Sequence, residues 1–349
     1  MIKYLKYVVY IIYIYIYYIM QIKTNYKFDA YLSFYYFIET FLLWGGTTSA
    51  TLYFYLNNNY LFLLTIPFMN ILTVRMFIIQ HDCSHSSFYS RYYYNDIIGR
   101  LCSLTNFISY THWKVNHKHH HNTSSDLNNQ NGLGEIYTEC VSRYIQFPEW
   151  KKTVYKIYRN KFFLIFIYPI FLILITHRFG TGTYLPFFKT KYRRPTITEM
   201  IEIVFLNCFI FYFKEYSIIY LMLNSPAAIL SVLLFYTQHN FKNAYYVVDS
   251  DKWNYNKAAF EGSSYLKLPT LLSWCVGNIN YHHIHHFDTS IPFYNLPKYH
   301  NENKHKLEYE TLTLNDLQEC FDCNLYDDVI VNKMISFNHL EKNINLYLL

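Results

Sequence analysis

The sequence predicts an all-α integral membrane protein, with about four transmembrane helices in two hairpins and a cytosolic helical cap that holds a metal centre. Three observations carry this. Of 349 residues, 52% are hydrophobic and only 15% charged, against roughly 25% charged in an ordinary soluble domain. The apolar residues are gathered into long blocks, several of them about 20 residues, enough to cross a bilayer core. The polar stretches between those blocks are rich in histidine: three short runs hold 10 of the chain's 16 histidines. Length alone would allow two or three soluble domains. The apolar blocks instead favour one membrane unit over residues 30–337, after an apolar or interfacial segment, 1–29, and before a tail, 338–349.

The remaining composition narrows the class. The 40 tyrosines accompany abundant Asn, Ile and Lys, which reads as the coding bias of an AT-rich genome. The net charge of +6 lies beside apolar segments, so it marks membrane flanks rather than a nucleic-acid surface. Seven cysteines, scattered and odd in number, do not form a disulfide framework. The lone Cys320-Phe321-Asp322-Cys323 motif has no second pair to complete a zinc site. Reduced, cytosol-facing thiols are expected.

Taken in order, Tyr4 to Met20 is apolar, follows Lys3 and Lys6, and lacks a small-residue cleavage site, so an interfacial or anchoring helix is expected. Tyr31 to Leu56 and Tyr60 to Ile79 form the first hairpin, turned by Asn57-Asn58-Asn59. Gln80 to Lys161 is polar and carries many Lys and Arg residues, which places it on the cytoplasmic side. Three apolar blocks follow: Phe162 to Thr176, Met200 to Phe213, and Ile218 to Tyr236. If the three histidine runs share one face, an even number of crossings separates Lys161 from Asn280. Phe162–Thr176 is short, contains Pro169 and precedes Lys189, Lys191, Arg193 and Arg194. It is read as interfacial or re-entrant, and the next two blocks as the second hairpin. Thr311 to Phe337 has a helix-compatible scatter of Leu, Val and Ile.

The runs carry the chemistry. His81 and His85 are spaced i, i+4, so on a helix they share one face. His117, His120 and His121 are spaced i, i+3, i+4, and His282, His285 and His286 repeat that spacing. His119 and His283 fall between and point elsewhere on a helical reading. One HxxxH pair arises readily by chance; three such runs on one face do not. Eight imidazoles exceed what a single structural or catalytic zinc takes. Imidazole suits Fe, Cu, Ni and Zn, and no Glu-x-x-His motif of the carboxylate bundles accompanies the runs. Two irons with open positions fit best.

The runs, their order and their spacing resemble the membrane fatty acid desaturases, over roughly Ala30 to Phe337. Phe77 to Phe88, containing His81-Asp82-Cys83-Ser84-His85, resembles the first histidine box of bacterial-type acyl-lipid desaturases. Trp113 to Leu127 with Gly134 to Thr138 resembles the second, and Glu261 to Tyr265 through Gly277 to Asn280 leads into the third. Ser84, Asn122 and Glu135 stand where the family usually has Gly, Ala and Asp; none removes a ligand. The resemblance implies a non-haem di-iron enzyme that uses O2 and two electrons to place a cis double bond in an acyl chain. It implies the eight box histidines as ligands, with His239, in Thr237-Gln238-His239-Asn240-Phe241, as the ninth. It also implies an acyl-lipid or acyl-thioester substrate and a separate electron donor, of ferredoxin or cytochrome type. The boxes would face the cytoplasm, at the endoplasmic reticulum or a bacterial inner membrane. Asp82, Asn278 and Asp288 are within reach as partners of the ligands, and Asn278, at i−4 from His282, could hold a metal-bound water. The rivals are a hydroxylase or epoxygenase on the same scaffold and a histidine-rich metal transporter. A transporter would carry ionisable residues within its spans, where the first hairpin has only Glu39 and Arg75 near the ends.

Overall fold

The computed structural model describes residues 26–130, 136–180 and 193–347. Tyr4–Met20, Gly134, Glu135, Lys189 and Lys191 lie outside the described residues. The described chain is mostly helical, with five short strands. Its long elements are α1 (Ala30–Leu56), α2 (Phe62–Ser84), α3 (Tyr92–Asn106), α4 (Tyr110–Thr123), α5 (Glu149–Tyr158), α6 (Ile197–Tyr212), α7 (Lys214–Leu223) and α8 (Ser225–His239), and α9 (His282–Phe287) carries the last histidine run.

The first hairpin is present. Asp29 caps α1 by accepting from the backbone N–H groups of Tyr31 and Leu32 at 2.9 and 3.0 Å. Helix α2 changes character along its length. Leu63, Leu64 and Phe68 are exposed, whereas nearly every residue from Met69 to Ser84 is buried. Its first turns therefore present an apolar surface, and its last turns form the centre of the core. Arg75 is buried within it and answered by Glu39 of α1 at 3.6 Å, with its guanidinium 4.0 Å from the centre of the Trp274 ring. Glu39 and Arg75, the two charged residues within the predicted spans of this hairpin, thus pair with each other.

Among the described residues, α2 is the one helix long and apolar enough to cross a membrane. α1 is long enough, but Gly45-Gly46-Thr47-Thr48-Ser49 and its tyrosines dilute its hydropathy. The two blocks predicted as the second hairpin fall on α6 and on α7 with α8; α7 and α8 form one path bent by 47°. The bend falls where Pro226 interrupts the helix. Asn70 of α2 spans the break: its side chain donates to the Leu223 carbonyl at 3.0 Å and accepts from the Ala227 N–H at 2.7 Å. Phe163–Phe179, which takes in nearly all of the Phe162–Thr176 block read as interfacial or re-entrant, meets α5 at 63°. It contains two π-helical turns, Phe163–Ile167 and Leu172–Thr176. If each bent pair is one span, the described chain has up to three crossings by length and composition.

The helical expectation for Thr311–Phe337 is corrected. That stretch holds β3 (Glu310–Leu312), a helix at Leu317–Asp322, β4 (Leu325–Asp327) and β5 (Lys333–Ile335). β3 pairs in parallel with β2 (Ser264–Leu266). β4 lies between β5 and β1 (Glu139–Cys140). The scattered Leu, Val and Ile pack as short buried strands, for which periodicity over so few residues is ambiguous. These strands tie the last segment to the stretches around the second and third histidine runs.

Candidate metal centre

The helices converge so that the histidine runs meet at one end of α2. His81 lies in its last turn and His85 is the residue that ends it; the predicted continuation of the span carries both. His117, His120 and His121 lie on α4, His239 is the last residue of α8, and His282, His285 and His286 lie on α9. All nine predicted ligands come together, in two groups. His81, His85, His117, His121 and His285 form one, and His120, His239, His282 and His286 the other. Within each group every residue offers a ring nitrogen within 4.8 Å of all the others. All are buried except His85 and His239, which are half-buried.

The facing atoms are the Nε2 nitrogens. His282 and His239 approach to 2.9 Å, His121 to His117 and to His285 at 3.0 Å, and His120 to His239 and His286 at 3.2 and 3.3 Å. Burial pushes His85 and His120 down to about 3. Burial, and then the neighbouring imidazoles, holds His117, His121, His282, His285 and His286 well below the usual histidine range. The rings are therefore neutral, and a neutral imidazole has one N–H and one bare lone pair. Where Nδ1 has its own carbonyl or carboxylate partner, Nε2 is left bare. His239 Nδ1 faces the Gly262 carbonyl at 3.0 Å, and His81 Nδ1 faces Asp82 Oδ1 at 3.1 Å. A cation within each group would satisfy the converging ring nitrogens together, including the buried, unpartnered Nε2 of His81 and His85, so the donor set fits metal ions.

Several contacts hold the helices in place. The N-terminus of α4 is clamped by Glu202 of α6, whose carboxylate accepts from the Thr111 N–H at 2.8 Å, the Ser109 hydroxyl at 2.9 Å and Arg100 at 2.8 Å. Nearby, Glu199 of α6 meets His112 Nδ1 at 3.1 Å. Gly99 of α3 lets the Tyr110 ring lie directly against the backbone; a Cβ there would fall 2.2 Å from the ring. Before α9, Gly277 and Asn278 both take positive φ. A side chain on Gly277 would in addition meet Ile78 at 2.9 Å. Asp82 ties the first run to the segment after the third, its Oδ2 accepting from the Phe293 N–H at 2.6 Å.

Two sequence expectations change, and two hold. Asn278 is not one helical turn before His282, because α9 begins only at His282; its amide donates to the Phe293 carbonyl at 3.2 Å. Asp288 accepts from Ser290 and bonds none of the nine. His283 belongs to neither group but is fully buried, stacked on Tyr309 with ring centres 4.3 Å apart. His119 is half-buried and bonds the Asn129 carbonyl at 2.9 Å.

Two cavities flank the histidines. The larger, about 130 Å³, is bounded mainly by apolar side chains such as Val74, Phe77, Trp113, Ala228 and Val232, and reaches His117. The smaller, about 20 Å³, is more polar and touches His120, His239, Asp126 and Gln130. Ile136 and Phe235 line both. Sequence reasoning missed this pair; the one available signal was that Phe235 lies at i−4 from His239, on the same helical face.

A helical framework that gathers nine imidazoles into two metal-sized groups beside an apolar cavity defines a protein suited to metal chemistry on apolar molecules. The chain belongs to the fatty acid desaturase family, whose model matches residues 58–318. Membership makes it an oxidoreductase acting on fatty acids. A fatty acid desaturase of Bacillus subtilis is 36% identical over 261 residues, covering 73% of this chain and 71% of its own. An sn-1 oleoyl-lipid 12-desaturase of Picosynechococcus is 24% identical, covering 72% of this chain and 73% of its own. An sn-1 acyl-lipid omega-3 desaturase (ferredoxin) of Nostoc is 26% identical, covering 64% and 62% respectively.

Proposed function

We propose that the chain is a membrane fatty acid desaturase that introduces a cis double bond into an acyl chain, using O2 and two electrons at a di-iron site. The observation that carries this reading is the division of nine converging imidazoles into groups of five and four beside an apolar cavity. The groups supply nitrogen donors only, a set that suits iron. Nine donors exceed the roughly four of a closed zinc site or the three of a catalytic one. His81, His85, His117, His121 and His285 would hold one iron, and His120, His239, His282 and His286 the other. Together the irons would supply the O2-derived oxidant that removes two hydrogens from the chain, with O2 reduced to two waters.

The protein's own residues do the rest. Gly262 and Asp82 orient the His239 and His81 rings through Nδ1. Phe77, Trp113, Ala228 and Val232 give a water-poor wall against which methylenes lie. The larger cavity is comparable to the apolar voids of about 150 Å³ that take up a benzene ring. The exposed apolar surfaces of α1, of the first turns of α2 and of the bent segments support a membrane topology of about four spans, and the Lys and Arg residues between Gln80 and Lys161 support placing the histidines on the cytoplasmic side. That side could be at the endoplasmic reticulum or a bacterial inner membrane. The electron donor is a separate ferredoxin or cytochrome-type protein, a reading supported by the ferredoxin in the name of the Nostoc relative.

The test is expression of the full chain in a host with simple lipids, with double bonds located by mass spectrometry and iron measured on the purified protein. New cis double bonds and about two irons per chain are expected, the loading that two groups of imidazole donors allow. Hydroxylated or epoxidised chains would replace this reading with the hydroxylase or epoxygenase alternative. Unchanged lipids with iron-loaded protein would overturn it.

A further inference from the structure

The two cavities have different chemistry but a common wall. The larger is apolar and touches His117, of the five-histidine group. The smaller is more polar and touches His120 and His239, of the four-histidine group. Ile136 and Phe235 line both. Anything that extends from one cavity into the other therefore passes these two side chains, and passes them beside both histidine groups.

Phe235 is fixed in that place. It lies one helical turn before His239 on α8, so both side chains leave the same face. Its ring meets the His282 ring edge-on, with centres 6.2 Å apart, and the Phe77 ring at 6.2 Å. It remains half-buried although it sits inside the protein, because part of its surface is bare toward the cavities it lines. Ile136 lies three residues before β1 and packs against both of the large hydrophobic clusters. One side chain thus comes from the helix that carries His239, and the other from the segment before β1.

We propose that Ile136 and Phe235 are the residues that determine the position of the double bond. They form a constriction through which the acyl chain is threaded, its polar end toward Asp126 and Gln130 and its methyl end toward Ala228. The carbons held at the constriction are the ones presented to the metal centre. The proposal rests on the desaturase reading and adds to it the choice of bond.

The experiment uses the full chain in a host with simple lipids and reads both the positions of product double bonds and iron per chain. Wild type is expected to give one major positional isomer. Phe235→Ala and Ile136→Ala, which widen the constriction, should each release neighbouring isomers to about a tenth of the product, the share left when rate discrimination falls to one factor of ten. Phe235→Leu, which keeps an apolar side chain in place, should retain one isomer. An unchanged single isomer from both alanine variants at wild-type iron content overturns the proposal. So does loss of iron from both, which would assign the pair to holding the ligands rather than the chain. A wild type that makes no double bond at all overturns the desaturase reading instead, a result distinct from an active wild type whose variants do not shift.

Discussion

His239 and His282 point Nε2 at Nε2 across 2.9 Å, although 43 residues separate them in sequence. Of the nine predicted ligands, His239 was the only one outside the three runs. Its position in the four-histidine group places it on equal terms with His120, His282 and His286. His239→Ala should remove one donor from a set of four and leave the five-histidine group intact. The expected outcome is loss of product, with iron falling toward about one per chain, since a shell missing a ligand binds its metal far more weakly. Iron analysis by plasma emission checks it. Full iron and full activity would remove His239 from the ligand set.

His283 makes the opposite case. It has the same sequence neighbourhood as the ligands but faces Tyr309 and His300. His283→Phe should leave the iron content unchanged. The larger ring overpacks a fully buried site, so a stability loss of about 1–3 kcal/mol is expected. Loss of iron with an unaltered melting temperature would show that the ring acts on the centre.

The runs were legible because they are local. Spacings of i, i+3 and i+4 fix which imidazoles share a helical face, and α2, α4 and α9 are helical where that spacing required. The split into five and four was not legible. It depends on the angles between helices, which put His120 and His121, adjacent in sequence, into different groups. The first hairpin could be read from two long apolar blocks. The bend at Asn224 could not, because Asn70, the residue that stabilises it, lies 153 residues from one partner and 157 from the other. The short strands near Leu325 and Ile335 failed for a related reason: three residues of buried strand carry too little pattern to exclude a helix.

Glu202 tests how the second run is held. Its carboxylate satisfies the N-terminal turn of α4 from a helix 91 residues away. The ion pair with Arg100 adds little, since that side chain is 45% exposed and such pairs are screened. The hydrogen bonds to Thr111 and Ser109 are more sheltered. Glu202→Ala should cost about 1–3 kcal/mol, the penalty for stranding buried donors, and lower the melting temperature of detergent-solubilised protein. An unchanged melt would show that the clamp is redundant.

The histidine groups also predict how metal-free protein responds to acid. Burial holds His85 and His120 near 3 in the folded chain, against about 6.5 when unfolded. Between those values the unfolded chain binds protons that the folded chain does not. Stability is therefore greatest above about 6.5 and falls as pH is lowered toward the folded values. Chelator-treated protein should melt progressively lower from pH 7.5 to 4.5, and His120→Asn should flatten that dependence. A melt independent of pH would mean that the imidazoles are already protonated in the fold.

The larger cavity offers a test that leaves the ligands untouched. Ala228 lies 11 residues before His239 on α8, about 16 Å along the helix axis, and lines the cavity on the side away from the metal groups. Phenylalanine there would occupy space that the methyl end of the substrate needs. Because the site is an existing void, the substitution fills it instead of straining packed neighbours. Ala228→Phe should therefore retain iron and thermal stability. Product from the longest acyl chains should fall about tenfold, a barrier change near 1.4 kcal/mol, while shorter chains are spared. Lipid analysis across chain lengths reads this directly. Equal loss at every length would place the block elsewhere, and no loss at all would mean that the acyl chain does not occupy this cavity.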